Sequence, residues 1–337
     1  MKRSIFLSLL ILILCFLLAA CSRGGSTSST SSDSGKSEYD ESGPIDIQIG
    51  SGTQTGNYYP LGAALAKMWG NNVDDVKVSS QATDASVQNL QLMKQGDLQI
   101  GFTMLDALSH AYNGTDEFKD NQYKDVRVLA ALYPNVGQVV ARKGTGVESV
   151  ADFKGKGFVP GATGSATNVL SKVILDAYGM TEDDVKAQYV GFSEVTDLMK
   201  NKRVAGAQLT SGLPTSAIVE ILATANGELI SMDEEQINAL TEKYPVYHKE
   251  TIPKGTYDEQ DKDIQTVGVT NALVVPKDLP EETVYQLTKT MWENIDQLRD
   301  SVSTAKNMKL ENATDGLAGV PLHPGAKKYY EEKGLLK

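Results

Sequence analysis

Cysteine is nearly absent from this chain of 337 residues. The two that occur, Cys15 and Cys21, both fall near the start. Beyond them no disulfide framework and no thiolate metal site can be built. Histidine is almost as scarce. His110, His248 and His323 stand far apart, without the short spacing that zinc sites use. Cationic side chains are outnumbered, 32 Lys and Arg against 43 Asp and Glu, for a formal charge of −11. That balance argues against nucleic acid as a partner. After the N-terminal region, arginine occurs only at Arg127, Arg142, Arg203 and Arg299. Few side chains are therefore available to grip a carboxylate bidentately. There is no G-x-S-x-G elbow around Ser165 or Ser211, and no Gly-Lys-Ser/Thr phosphate loop. No repeat period appears, which excludes solenoids and propellers.

What is present begins at the N-terminus. Lys2 and Arg3 precede an apolar run from Ile5 to Leu18, closed by Leu18-Ala19-Ala20-Cys21. This is the plan of a secretory signal, too short for a comfortable spanning helix. Its end resembles the bacterial lipobox, in which the Cys becomes the lipidated N-terminus. Each buried methylene of a lipid chain contributes about 0.8 kcal/mol, so a diacylated Cys21 would anchor stably. Residues 22–43 are Ser, Thr and Gly with scattered charge, and the only aromatic there is Tyr39. Such a segment cannot bury enough apolar surface to order itself, and reads as a tether. The organisation expected is 1–20 signal and 21–43 lipid-anchored linker.

From Ile45 onward, short apolar runs alternate with amphipathic stretches. Strands are expected at Ile45–Ile49, Val73–Ser80, Leu98–Phe102, Val126–Tyr133, Gly137–Ala141, Gly157–Pro160, Ala187–Val190, Ala205–Thr210 and within Asp263–Val275. Helices are expected between them, with one long helix over Glu281–Arg299. The βα alternation predicts a largely parallel sheet covered by helices. Two α/β lobes follow: residues 44–141 with 264–337, and residues 142–263. Roughly 300 residues suffice for a core without covalent staples.

In open α/β sheets, ligands sit beyond the carboxyl ends of the strands. Three Gly-rich turns occupy such places. Gly50 to Pro60 carries Gly52, Thr53, Thr55, Gly56, Tyr58 and Tyr59. Gly161 to Asn168 carries Thr163, Gly164, Ser165, Ala166 and Thr167. Thr210 to Pro214 carries Ser211 and Gly212, with Pro214 expected in the first turn of a helix. Between them lie Ser86 and Asn89, and Asp106 after the third strand. A lone Ser or Thr at a helix start is most often a cap. Recurrence after successive strands points instead to donors converging on one cleft, where helix N-termini favour an anion. The first two turns are expected to face each other across that cleft. Gly164 is expected to tolerate no side chain where backbone meets ligand. Asp84 could repel an anionic ligand or serve only as a helix N-terminal charge; the helix role is the favoured reading, since an acidic first turn is stabilising. Arg142, near a lobe crossing, is the arginine best placed to reach a ligand, though a surface or hinge ion pair is the commoner role.

Gly50 to Gly62, ending Tyr58-Tyr59-Pro60-Leu61-Gly62, resembles the opening motif of the TAXI family, the solute-binding proteins of TRAP transporters. Ser86-Val87-Gln88-Asn89-Leu90, Asp152 to Lys156 with Pro160 to Thr167, Ile252 to Tyr257 and Pro321 to Ala326 resemble its further motifs, in order, from about Ile45 to Gly334. The departures are Asp84-Ala85 for the usual Gly-Gly, Gln54 for a small residue, Gly206 where Asp is common, and Leu213 within a Gly-Pro-Pro-like turn. The resemblance implies a two-lobed type II periplasmic-binding-protein fold with a cleft between the lobes. It implies an extracytoplasmic receptor, expected to be monomeric and without cofactor. Such a receptor delivers a small carboxylate solute, a glutamate-like amino acid or dicarboxylate, to a TRAP membrane permease. The alternatives are a receptor for an ATP-driven importer and, below it, an enzyme on the same fold.

If Cys21 is the lipidated N-terminus, Cys21→Ser should release the protein from the membrane fraction and leave solute affinity unchanged. A variant that stays membrane-bound after cell fractionation would sink the anchor assignment.

Overall fold

The computed structural model describes residues 43–336. The signal segment, Cys21 and nearly all of the tether lie outside the described residues. β1 (Ile45–Gly50) leads into α1 (Tyr58–Asn72), β2 (Val76–Gln81) into α2 (Ser86–Gln95), and β3 (Ile100–Met104) into α3 (Leu105–Asn113). A long strand follows, β4 (Val126–Arg142). Then come β5 (Gly157–Val159), α4 (Ala166–Ala177), β6 (Lys186–Ala187), α5 (Phe192–Lys200), β7 (Gly206–Ser211) and α6 (Ser216–Thr224). β8 (Gly227–Ile230), α7 (Glu234–Lys243) and β9 (Tyr247–Ile252) precede a second long strand, β10 (Ile264–Pro276). Helices α8 (Glu281–Glu293), α9 (Ile295–Ser301) and α10 (Pro324–Glu332) complete the described fold.

The helices form where the apolar spacing predicts. On α1, Leu61, Leu65, Met68 and Trp69 are all buried, which is one face at helical period. The Trp69 indole donates to the Leu287 carbonyl at 2.9 Å, so its buried N–H is satisfied and α1 is tied to α8. Gly96 ends α2 in the left-handed conformation, its N–H bonded to the last carbonyls of the helix.

The sheet order is β2-β1-β3-β10-β4-β7-β5-β6, with β8 also on β4 and β9 also on β10. The largely parallel sheet expected from the βα alternation is corrected here. Among the described residues only the β1–β2, β1–β3, β5–β6 and β5–β7 strand pairs are parallel. At the centre, β10 runs antiparallel to β3, β4 and β9, and β4 antiparallel to β7 and β8. The two β runs expected at Val126–Tyr133 and Gly137–Ala141 are one strand. Pro134, which cannot donate to a ladder, sits exposed opposite Thr270, beside the register shift between Thr270 and Ala272, where the missing N–H costs least. β4 exchanges partners at Val136, from Gly268 on β10 to Ser211 on β7. β10 does so between Val269, paired with β9, and Asn271, paired with β3.

Other expectations are also adjusted. The helix expected over Glu281–Arg299 breaks at Asn294, whose side chain bonds back to the Thr290 carbonyl at 2.9 Å and competes with the backbone ladder. Pro214 precedes α6, which begins after Thr215. Asp84 lies outside α2, ahead of its N-cap Ala85. The strand expected at Ala187–Val190 shrinks to Lys186–Ala187.

Apolar clusters cover both faces. One, around Leu61, Trp69, Phe102, Leu273 and Tyr330, joins α1 to the last helices. A second, around Val140, Leu209 and Ile218, packs the other half. A third runs through both, from Leu90 and Val126 to Leu170 and Val267. Helix α10 approaches α8 so closely at Gly325 that a Cβ there would lie 2.6 Å from the Tyr285 nitrogen. Gly325→Ala should therefore destabilise the fold by about 1–3 kcal/mol in urea denaturation, the usual range for overpacking. An unchanged midpoint would contradict this close approach.

Candidate functional site

The parallel strands point their carboxyl ends toward the middle of the molecule, and each continues into a helix. The result is a shared meeting point. The N-cap residues of α1, α2, α3, α4 and α5 are Asn57, Ala85, Met104, Ser165 and Gly191. All five line one cavity, which with the open solvent at its mouth encloses about 480 Å³ of empty space. Four of the five carry no side-chain cap. Only Ser165 does: its hydroxyl accepts from the Asn168 N–H at 3.2 Å and donates to the Ala162 carbonyl at 2.8 Å. First-turn N–H groups have no partner within their own helix. Here they surround a common space, toward which each helix dipole directs partial positive charge without any formal cation.

Tyr58 and Phe192 give the cavity aromatic walls. Tyr58 stacks on Phe102, ring centroids 4.8 Å apart. Its hydroxyl accepts from the Asn135 amide at 2.9 Å. Burial holds the Tyr58 phenol well above its ordinary pKa, so it stays protonated and keeps a proton to donate. Asn135 comes from β4 beside the partner exchange at Val136. Asp84 is the one charged residue of the lining, and none of the four arginines lies there.

Of the residues singled out in the first turn, Gly52, Thr53, Gly56 and Tyr58 line the cavity. Thr55 and Tyr59 do not. The Thr55 hydroxyl is buried without a protein partner, and Tyr59 is turned outward, 38 % exposed. In the second turn Ser165, Ala166 and Thr167 line it, so the two turns do meet. Thr163 and Gly164 are outside the lining. Gly164 has φ of 80°, and a Cβ added there would meet nothing within 4 Å, so its constraint is backbone conformation and not a ligand's approach. From the third turn Ser211 lines the cavity. Gly212 lies beside it, its carbonyl accepting from the Asn57 amide at 2.6 Å.

Ser86, Asn89 and Asp106 lie behind the lining, each almost fully buried. The Ser86 hydroxyl accepts from the Met104 N–H at 3.1 Å. The Asn89 amide reaches the carbonyls of Gly50, Ser51 and Phe102 at 3.0, 2.9 and 2.8 Å, and its oxygen accepts from Thr83. It pins the ends of β1 and β3 that carry the loops. Asp106 accepts from the Tyr247 hydroxyl and the Ala107 N–H, both at 2.7 Å, while burial raises its pKa above the usual carboxylate value. These three hold the scaffold.

Sequence reasoning missed Gly191 and Phe192, although the stretch repeats the strand-glycine-helix pattern of the other turns. It also missed Asn135, which sits inside a strand and gives no local signal.

The chain belongs to the NMT1-like family, whose model matches residues 49–334. Its fold is the two-lobed type II periplasmic-binding-protein fold. Among solved structures it is similar to the periplasmic binding protein BugD, at 12 % identity over 88 % of this chain and 99 % of that one, TM-score 0.56. PhnD1 from Prochlorococcus marinus (MIT 9301), in complex with methylphosphonate, is similar at 12 % identity over 87 % and 100 %, TM-score 0.53. A provisionally named L-cystine ABC transporter from Listeria monocytogenes matches at 15 % identity over 79 % and 98 %, TM-score 0.50.

Removing the Asn89 amide leaves buried carbonyls unpaired. Asn89→Ala should cost at least about 2 kcal/mol of stability in chemical denaturation. A loss well under 1 kcal/mol would mean that the carbonyls find water instead.

Proposed function

We propose that this chain is an extracytoplasmic solute-binding receptor of the TAXI type, serving a TRAP secondary transporter. It captures a small carboxylate solute, a glutamate-like amino acid or a dicarboxylate, and delivers it to the membrane permease. A lipid on Cys21 holds it at the membrane. The observation that carries the ligand reading is the convergence of five helix starts, four of them uncapped by side chains, on a cavity whose lining has no Lys or Arg. Aligned N–H groups bind a carboxylate without a salt bridge. Thr53, Thr167 and Ser211 add hydroxyls, and Tyr58 adds a wall with a proton to donate. The bound methylphosphonate of PhnD1 is consistent with an oxyanion in this fold.

The cavity takes Tyr58 and Gly52 from one half and Ser165 and Ser211 from the other, so a solute would bridge them. We propose lobes of residues 44–141 with 264–337, and 142–263. The hinges lie near Ala141 and Ile264, within the stretches of β4 and β10 that follow or precede the partner exchanges at Val136 and at Val269 to Asn271. A receptor for an ATP-driven importer is the competing reading, in line with the name given to the Listeria monocytogenes neighbour. Uptake assays with the reconstituted permease separate them, since a TRAP system needs an ion gradient and no ATP.

A thermal-shift screen of amino acids and dicarboxylates tests the ligand. A solute at 100 times its Kd should stabilise the native state by about 2.7 kcal/mol. The same solute should shrink the radius of gyration in X-ray scattering if the lobes close. No stabilisation by any carboxylate would overturn the ligand assignment, and an unchanged radius would overturn the hinges.

A further inference from the structure

Asp84 is the charged residue that the cavity lining contains, and its carboxylate has no partner among the described residues. Its backbone position is held. The Asp84 N–H donates to the Gln88 side-chain oxygen at 2.7 Å, and the Gln88 N–H donates to the Gly164 carbonyl at 3.2 Å. Gln88 therefore holds Asp84 in a set relation to the turn that opens α4. Along that turn, Thr167 is 4 % exposed, lines the cavity, and has a hydroxyl with no protein partner. Ser211, 5 % exposed, lines the cavity from β7. One side of the cavity thus offers unused donors, and the mouth offers an unpaired carboxylate.

A purely anionic ligand would use the first feature and be repelled by the second. A zwitterion uses both. We propose that Asp84 is a specificity-determining residue that selects solutes carrying an ammonium group beside their carboxylate, so that α-amino acids bind in preference to dicarboxylates. This rests on the carboxylate-receptor reading above and chooses between the two solute classes it leaves open. The solute carboxylate lies against the helix starts and hydroxyls, and its ammonium group pairs with Asp84. A second carboxylate placed near Asp84 meets like charge, which is discrimination by repulsion as well as by attraction. Asp84 also sits just ahead of α2, where a negative charge favours the helix dipole. That role alone would act equally on every bound solute.

The test is calorimetry at pH 7 on wild type and Asp84→Asn, with matched pairs of an amino acid and its deaminated counterpart: glutamate against glutarate, and leucine against 4-methylpentanoate. Asp84 is exposed, so the substitution should leave the melting temperature of the free protein close to wild type. In wild type, at least one pair should favour the amino acid by about five-fold or more, a modest factor suited to an exposed charge. In Asp84→Asn that preference should fall toward one. Equal affinities within every binding pair in wild type, or a ratio unchanged by Asp84→Asn, overturns the role of Asp84 while leaving the carboxylate receptor standing. Failure of all four solutes to bind the folded wild-type protein overturns both.

Discussion

Everything in this molecule hangs on the antiparallel pairing of β4 and β10. These strands traverse both halves, and their ladder runs from Val126 opposite Pro276 to Val136 opposite Gly268. Each is buried along most of its length. They carry the apolar ridges on which both sets of helices pack. Because each strand exchanges partners partway along, two parallel βα systems are joined edge to edge through a shared antiparallel centre. The core is therefore continuous across the junction, with Val126 and Val267 in one cluster.

The site follows from this arrangement. In each half, parallel strands lead into helices at their carboxyl ends. Joining the halves through β4 and β10 turns those ends toward each other, so helix starts that belong to separate sheets face one space. No individual turn makes the cavity. Its depth comes from buried polar groups beneath the lining. Asn89 gathers three carbonyls from β1 and β3, and Ser86 takes the Met104 N–H. Those bonds hold the loop ends from beneath. Asn57 adds a link between halves, from the start of α1 to the carbonyls of Gly212 and Pro214.

Much of the fold was legible because apolar period reports burial, and burial fixes element type. α1, α4 and β10 were readable for that reason. The antiparallel centre was not, since strand direction depends on which long strand returns, and βα alternation carries no information about that. The break at Asn294 was hidden because the amphipathic pattern continues across it. In the site, glycine and hydroxyl patterns picked out turns that the fold brings to one cavity. They could not separate residues that face the cavity from residues that build its floor. Ser86, Asn89 and Asp106 carry the same polar chemistry as Thr53 and Ser211, but the pairing of β1 with β3 brings carbonyls within reach of Asn89. Asn135 shows the opposite failure: an amide in the middle of an apolar strand reads as a core oddity until the fold sets it beside Tyr58.

Building the site from dipoles and not from arginine has a physical consequence. A guanidinium facing an apolar cavity would have to be desolvated on closure, and the cost of burying an ion can exceed the attraction it provides. Backbone N–H groups are held in place by the helices they begin, so they need no reorganisation and leave no net charge behind. Their attraction is weaker per group and acts over a short range, which is why several must converge. The same short range means that one carboxylate at the mouth can set the balance of the whole cavity. In a site lined with arginines, Asp84 would be one charge among several. Here the lining presents no formal cation to offset it, so for a carboxylate solute of the kind proposed, the sign of its second group would decide whether the cavity is complementary.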